Sequence, residues 1–320
     1  MRVAVLDLGT NVFNMLLADF TREGCRYVKE FKCAAKLGGG GLSSGVIAAS
    51  AFDTACAAME RIMEQIELNG GADYIIPYAT SAVRDAANGN EFVALMREKF
   101  GVEVRVIPGE REAEFIFKGI IRSLPEGVFA ASENGAIPGQ RKNILMLDIG
   151  GGSNEFIISD GKEILWKESF PIGMARMREK FNYEEPIANS VIEEFEQFCN
   201  GVLEPLWEQI EIYRPQLFVG SSGSFDTFKD LMFGPEVEYK PCRVLPADDL
   251  LALHEKLLLS TAQERLAMPR MSPIRVDYIV LASVFTQMVL RRVQPEVIYQ
   301  SAYSLKEGAM AEHYENWLDS

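Results

Sequence analysis

Histidine is almost missing from this chain of 320 residues: only His254 and His313 occur, both in polar stretches that read as solvated helix surface. Two such residues do not build a His-rich metal centre or a Ser/His/Asp triad, so general-base work falls to carboxylates. An excess of positive charge is missing too. With 32 Lys and Arg against 46 Asp and Glu, the formal net charge is −14, and sequence-independent nucleic-acid binding requires a basic surface. No uninterrupted apolar run approaches the roughly 20 residues of a membrane helix and no charged-then-apolar leader pattern opens the chain, so a cytoplasmic protein with no membrane partner is expected. The five cysteines (Cys25, Cys33, Cys56, Cys199, Cys242) are odd in number and contain no CxxC pair. That pattern suits reduced, mostly buried thiols rather than a disulfide framework or a zinc site.

What the chain has is an internal duplication. Val3 to Asp19 reads VAVLDLGTNVFNMLLAD, and Ile144 to Asp160 reads ILMLDIGGGSNEFIISD. Each copy runs from an apolar strand through an Asp into a turn of small residues and out through a second apolar strand. Two such loops, with Asp7 and Asp148 at their lips, can face each other and clasp a phosphate chain with its metal through backbone N–H groups. Against a global field of −14 such a site must be local, built from turn amides, a few Arg or Lys side chains and a bound cation.

Elsewhere the pattern alternates strands and helices, as an α/β protein should. Lys36 to Leu42 carries a glycine run without the Gly-Lys-Ser/Thr ending of a P-loop and reads as a flexible surface turn. Phe52, Cys56, Met59, Met63 and Ile66 mark an amphipathic helix stopped at Asn69-Gly70-Gly71. A strand from Tyr74 to Ala79 enters a polar loop containing Arg84, and a helix from about Asn90 and a strand from Val102 to Ile107 follow. Pro108-Gly109 opens the next helix, with Glu110 and Glu112 in its first turn. Acidic residues there favour the positive end of the helix dipole, and the residues alone give Glu112 no further role. Positions 124 to 143 form the expected inter-domain stretch. In the second half we expect one long helix from about Ala188 to Tyr213, bent at Pro205. A strand at Leu217 to Val219 then enters a third small-residue turn, Gly220 to Ser224. A buried helix from Arg275 to Arg292, a strand from Val297 to Gln300 and a final helix complete the chain.

The succession of two Asp-Gly turns and the Gly220 turn resembles the phosphate and adenosine segments of the actin and sugar kinase superfamily. The match narrows at Asp7-Leu-Gly-Thr-Asn11, Ala79-Thr-Ser-Ala-Val-Arg-Asp85, Ile107-Pro-Gly-Glu-Arg-Glu-Ala113, Asp148-Ile-Gly-Gly-Gly-Ser153 with Glu155, Phe170-Pro-Ile-Gly173 and Leu305-Lys-Glu-Gly308. Together these resemble the exopolyphosphatase and guanosine pentaphosphate phosphohydrolase (Ppx/GppA) family over essentially the whole chain. The resemblance implies two ribonuclease-H-like (actin-like ATPase) domains with a cleft between them. The division it implies is residues 1–124, joined by the C-terminal helix at about 304–320, and residues 125–303. It further implies hydrolysis of the terminal phosphoanhydride bond of polyphosphate or a guanosine polyphosphate. On this reading Glu112 is the catalytic base, Arg84 clamps a terminal phosphate, and Gly9, Thr10, Asn11, Gly150, Gly151, Gly152 and Ser153 form the phosphate cradle. Asp148, Glu155 and Asp7 hold Mg²⁺, an ion that suits hard oxygen ligands. Lys36, Arg176 and Lys306 are candidates for a path of positive charge.

The chain departs from the family pattern at Val12, where a hydroxyl residue is usual, at Asn14, where a basic residue is usual, and at Asn154 and Lys306. The helical His-Asp domain of long members requires His-Asp pairs that this sequence does not have, so no counterpart of it is expected here. Two other classes compete with the hydrolase. A kinase of the same superfamily would use ATP and usually an Asp base, and a non-catalytic sensor would bind polyphosphate or guanosine polyphosphates without turnover. Oligomeric state is open, with a symmetric homodimer as the prior.

Overall fold

The computed structural model describes residues 1–41, 44–130, 141–234 and 238–320. Strands β1 (Arg2–Leu8), β2 (Val12–Thr21) and β3 (Gly24–Ala34) form an antiparallel meander, followed by helix α1 (Ala49–Leu68), β4 (Tyr74–Ala79), the short α2 (Ser81–Arg84), α3 (Gly89–Phe100), β5 (Arg105–Val106) and α4 (Gly109–Ser123). The second half repeats the scheme with β6 (Ile144–Ile149), β7 (Asn154–Ser159), β8 (Ile164–Phe170), α5 (Met174–Lys180), α6 (Asn189–Val202), α7 (Glu204–Tyr213), β9 (Leu217–Ser221) and α8 (Ser222–Phe233). It ends with β10 (Cys242–Val244), α9 (Ala247–Leu258), α10 (Ala262–Ala267), α11 (Ile279–Val293), β11 (Val297–Ser301) and α12 (Leu305–Leu318).

The first sheet has the order β3-β2-β1-β4-β5, and the second β10-β11-β9-β6-β7-β8. In each, the strand bearing the Asp lies between its antiparallel hairpin partner and a parallel neighbour, β4 beside β1 and β9 beside β6. The shared topology is that of two ribonuclease-H-like units. β1, β2, β6 and β7 are apolar on both faces because both faces are covered. One face of the first sheet, including Leu6, Leu8, Phe13 and Met15, packs on α1 and α3. One face of the second, including Leu145, Leu147 and Phe156, packs around α11, which is buried from Ile279 to Leu290. The opposite faces of the two sheets share a third core with α4 and α12, containing Val3, Val5, Leu16, Ile144, Met146, Ile157, Phe115, Ile120, Ala309 and Met310. The two helices touch closely: a Cβ added at Gly308 would stand 1.7 Å from the Phe115 carbonyl oxygen.

Several sequence expectations change. Only Arg105 and Val106 of the Val102–Ile107 segment are strand, because β5 is an edge strand that meets β4 at just two residue pairs. The helix over 188–213 is two helices. Pro205 sits in the first turn of α7, where its missing N–H costs nothing, and the break falls at Leu203. The helix expected from Arg275 starts at Ile279, after turns that place the Arg275 guanidinium against Gly223. The glycine turn after β3 is not loose. Its amides at Ala35 and Lys36 donate to the Asn11 carbonyl at 2.9 and 3.0 Å, that of Gly38 donates to the Thr10 carbonyl at 2.9 Å, and Leu37 and Gly41 are buried. Leu42 lies outside the described residues, as do positions 131–140 of the expected inter-domain stretch. Neither histidine is a free surface group. His254 bonds the Ser283 hydroxyl of α11 at 3.1 Å and His313 the Tyr78 hydroxyl of β4 at 2.7 Å, and both are half-buried.

Candidate active site

Strand alternation builds the site. On β1, Val3, Val5 and Asp7 share a face; on β6, Ile144, Met146 and Asp148 do the same. The apolar members enter the core between the sheets, and the two aspartates, last in each series, emerge above it at the carboxyl ends of the strands. There they line a cavity of about 400 Å³ together with Gly9, Thr10, Asn11, Gly150, Gly151, Gly152, Ser153, Glu155 and Glu112. Carboxyl ends of parallel strands are where open α/β sheets place ligands.

The two loops meet. A Cβ on Gly151 would lie 2.9 Å from Asn11 Nδ2, and one on Gly152 would lie 2.5 Å from Ser81 Oγ and 2.8 Å from Thr10 Oγ1. These glycines are required for close approach. The carbonyls of Gly150, Gly151 and Gly152 face away and accept from the amides of Met174, Ala175, Arg176 and Gly173. Among the described residues, the amides of Thr10, Asn11, Gly151, Gly152 and Ser153 donate to no protein acceptor. That of Gly150 is tied to the Ser153 carbonyl at 3.1 Å.

Glu112, in the first turn of α4, is 7% exposed and accepts from Arg84 Nη1 at 2.9 Å through Oε2. Burial and the neighbouring Glu155 hold its carboxyl well above the ordinary range, with Arg84 opposing them. Arg84 does not line the cavity. Its guanidinium also donates to the Ile107 carbonyl at 3.1 Å and lies 3.4 Å from Asp85. Glu155 is 1% exposed and accepts from the Ser153 and Ser169 hydroxyls at 2.6 and 2.7 Å, while burial and Asp148 push its carboxyl up to about 7. Asp7 accepts from Asn14 Nδ2 at 2.8 Å, and burial raises it to about 6.

Asp148 is also a structural node. One oxygen accepts from the hydroxyls of Ser221 (2.8 Å), Ser222 (2.6 Å) and Ser304, tying the third small-residue turn and the start of α12 to the second loop. Sequence reasoning overlooked these serines. Ser304 had a legible signal, since Glu307 accepts its amide at 2.9 Å, one half of an S-x-x-E capping box. It also overlooked Lys32, Asp226 and Arg275, all at the cavity wall. Lys306 is buried against Glu307. Burial alone would lower its pKa, but Glu307 and Glu30 outweigh that and raise it. Arg176 pairs with Asp85 at 2.8 Å, and Lys36 is exposed outside the cavity.

This donor set fits a hard dication. Asp7, Asp148 and Glu155 offer only oxygen, and two of the three, Asp7 and Glu155, are held above their ordinary pKa by burial. No three His, Cys, Asp or Glu side chains among the described residues converge as a ready-made cage. One or two of these carboxylates could serve as ligands, with phosphate oxygens and water completing the shell, the usual Mg²⁺ arrangement.

Comparison with known proteins agrees with this architecture. A sequence model of the Ppx/GppA phosphatase family matches residues 18–316. The crystal structure of an exopolyphosphatase from Cytophaga hutchinsonii superimposes with a TM-score of 0.91 at 32% identity, covering 99% of this chain and 98% of that one. Exopolyphosphatase 1 of Mycobacterium tuberculosis is 27% identical over 327 residues, spanning 100% of this chain and 90% of the relative. An Aquifex aeolicus Ppx/GppA family member, at 21% identity and a TM-score of 0.75 over 99% of this chain and 98% of that one, shares the two-domain actin-like fold.

Proposed function

The chain belongs to the Ppx/GppA phosphatase family, and we propose that it is an exopolyphosphatase, releasing orthophosphate from the end of inorganic polyphosphate. The observation that carries this reading is the placement of buried Glu112 in one cavity with Asp7, Asp148 and two loops of amides that have no acceptor among the described residues. The names of the related exopolyphosphatases support the substrate class. The amides receive the oxygens of the terminal phosphate, where charge spreads during phosphoryl transfer. Glu112 takes a proton from the attacking water as the new O–P bond forms and the bridging P–O bond breaks, and the shortened chain departs with the bridging oxygen. Arg84 acts as a positioning residue: it anchors Oε2 of Glu112 and favours the ionised carboxylate that a base requires. Mg²⁺ held by Asp148 or Glu155 would neutralise charge on the phosphates of the leaving chain.

The test is orthophosphate release from long-chain polyphosphate, and from guanosine pentaphosphate as a second substrate, in the presence of Mg²⁺ and after chelation. Release should require the metal. Glu112→Gln should lower kcat by about 10²- to 10⁴-fold, the usual contribution of a general base, with polyphosphate binding retained. No release from either substrate, or ATP consumption that appears only with an added acceptor, overturns the proposal.

A further inference from the structure

We infer that Lys32 is a substrate-binding residue at the outer end of the cleft, gripping a phosphate remote from the scissile bond after letting go of Asp226; this rests on the hydrolase reading above. The register of the first sheet carries the argument. Asp7 pairs with Asn14 across β1 and β2, and Asn14 pairs with Lys32 across β2 and β3. Directly opposed residues share a face, so the three side chains form one row, and all three line the cavity. Lys32 thus lies two strand spacings, about 10 Å, from Asp7. That is too far for the reacting phosphoryl group and suited to a phosphate farther along the chain. The equivalent row in the second sheet is Asp148, Glu155 and Ser169 and carries no cation.

The present partner of Lys32 is easily exchanged. Its ammonium meets Asp226 of α8, across the cleft, at 2.9 Å, with the two side chains 48% and 23% exposed. An ion pair of that exposure is weak. Asp226 keeps a second partner when Lys32 departs, since its other oxygen accepts from Gln300 Nε2 at 2.9 Å. Two other cations near the site are committed, Arg84 to Glu112 and Lys306 to Glu307. An ammonium on a flexible stem grips phosphate as a point charge without demanding a fixed orientation, which suits a substrate of repeating identical units.

The experiment compares Lys32→Ala, Lys32→Arg, Asp226→Asn and wild type on long-chain polyphosphate, tripolyphosphate and guanosine pentaphosphate, with melting temperatures to confirm folding. Lys32→Ala should raise KM for long chains about 5- to 10-fold, the loss of one exposed charge-assisted contact, with kcat within about 2-fold. Lys32→Arg should restore KM. Asp226→Asn removes the competing carboxylate and should leave KM unchanged or lower it. A salt bridge that only braces the fold would make the Lys32 and Asp226 variants behave alike. An unchanged KM in Lys32→Ala, or equal increases in both variants, overturns the inference while the hydrolase reading stands. A larger effect on long chains than on tripolyphosphate assigns the grip to distal chain phosphates, and an effect confined to guanosine pentaphosphate assigns it to the nucleotide's second phosphate arm. If wild type fails to turn over, the hydrolase reading falls, and equilibrium binding of long-chain polyphosphate to wild type and Lys32→Ala still reads the role of Lys32.

Discussion

Replacing Glu155 by Gln should make the metal-free protein more stable at alkaline pH while leaving it nearly unchanged at pH 5. Glu155 is fully buried, and its pKa rises from an ordinary 4.5 to about 7. In the unfolded chain the carboxyl ionises first. Between these two values the folded state binds the extra proton, so stability falls as pH rises through the window and the loss is complete above about pH 7. Each tenfold change in proton affinity is worth about 1.4 kcal/mol, which sets the loss at up to about 3 kcal/mol by pH 8. Glutamine has nearly the same shape, and its Oε1 can accept from Ser153 and Ser169 as the carboxylate does. It has no charge to desolvate. Thermal or urea denaturation in chelator at pH 5, 6, 7 and 8 should show the two proteins diverging. At roughly 2–3 °C per kcal/mol the gap in Tm should reach about 6–9 °C at pH 8. Mg²⁺ should narrow it by stabilising wild type more than the variant, which has lost one carboxylate of the donor set. A gap independent of pH, or a wild type that gains stability from pH 5 to 8, would refute the reasoning.

Two further outcomes follow from packing and geometry. Gly308→Ala should destabilise the protein by about 3 kcal/mol, at the upper end of overpacking effects, because its Cβ would stand 1.7 Å from a backbone oxygen of α4. Denaturation midpoints check this, and a wild-type midpoint would contradict the close helix contact. Arg84→Lys keeps the charge but not the planar guanidinium, whose Nη1 donates to both Glu112 and the Ile107 carbonyl while its Nε faces Asp85. Its kcat for orthophosphate release should fall about 10-fold or more with KM little changed; full activity would show that charge alone suffices.

The duplicated strands and Asp-Gly turns were legible because each strand is buried on both faces, leaving a continuous apolar run that ends abruptly where the chain must turn. The helix boundaries near Pro205 and Arg275 were less so. A proline bends one helix or starts another according to what the preceding residues pack against, and Leu203 is fully buried. Arg275 is kept out of α11 by its fit against Gly223, a contact between segments far apart in the chain. The serines on Asp148 illustrate the same limit. Ser221 and Ser304 lie 73 and 156 positions away, and small polar residues brought together over such distances leave no periodic trace. Glu112 was ambiguous from its own helix, where an acidic first turn is ordinary, and only the resemblance singled it out. Its burial beside Glu155 distinguishes it from Glu110, which is exposed on the same turn.

The two copies differ in a way that residue-by-residue comparison understates. Asn14 is one of the positions at which the chain departs from the family pattern, standing where a basic residue is usual. In the folded sheet Asn14 is the middle of the row from Asp7 to Lys32, and its amide donates to Asp7. A basic residue there would stand beside Asp7 and partly neutralise it. With asparagine in the middle, the positive charge lies one strand farther out, and Asp7 keeps its raised pKa and its negative potential. The second row holds two carboxylates and a serine. On the proposed reading the cleft has one wall that holds the cation and another that passes the phosphate chain outward, a division that one topology supports because register fixes which face each side chain takes. Restoring the basic residue by Asn14→Arg would test this division: it should lower the pKa of Asp7 and weaken the dependence of KM on Lys32, and an additive effect of the two cations would show that they act on different phosphates.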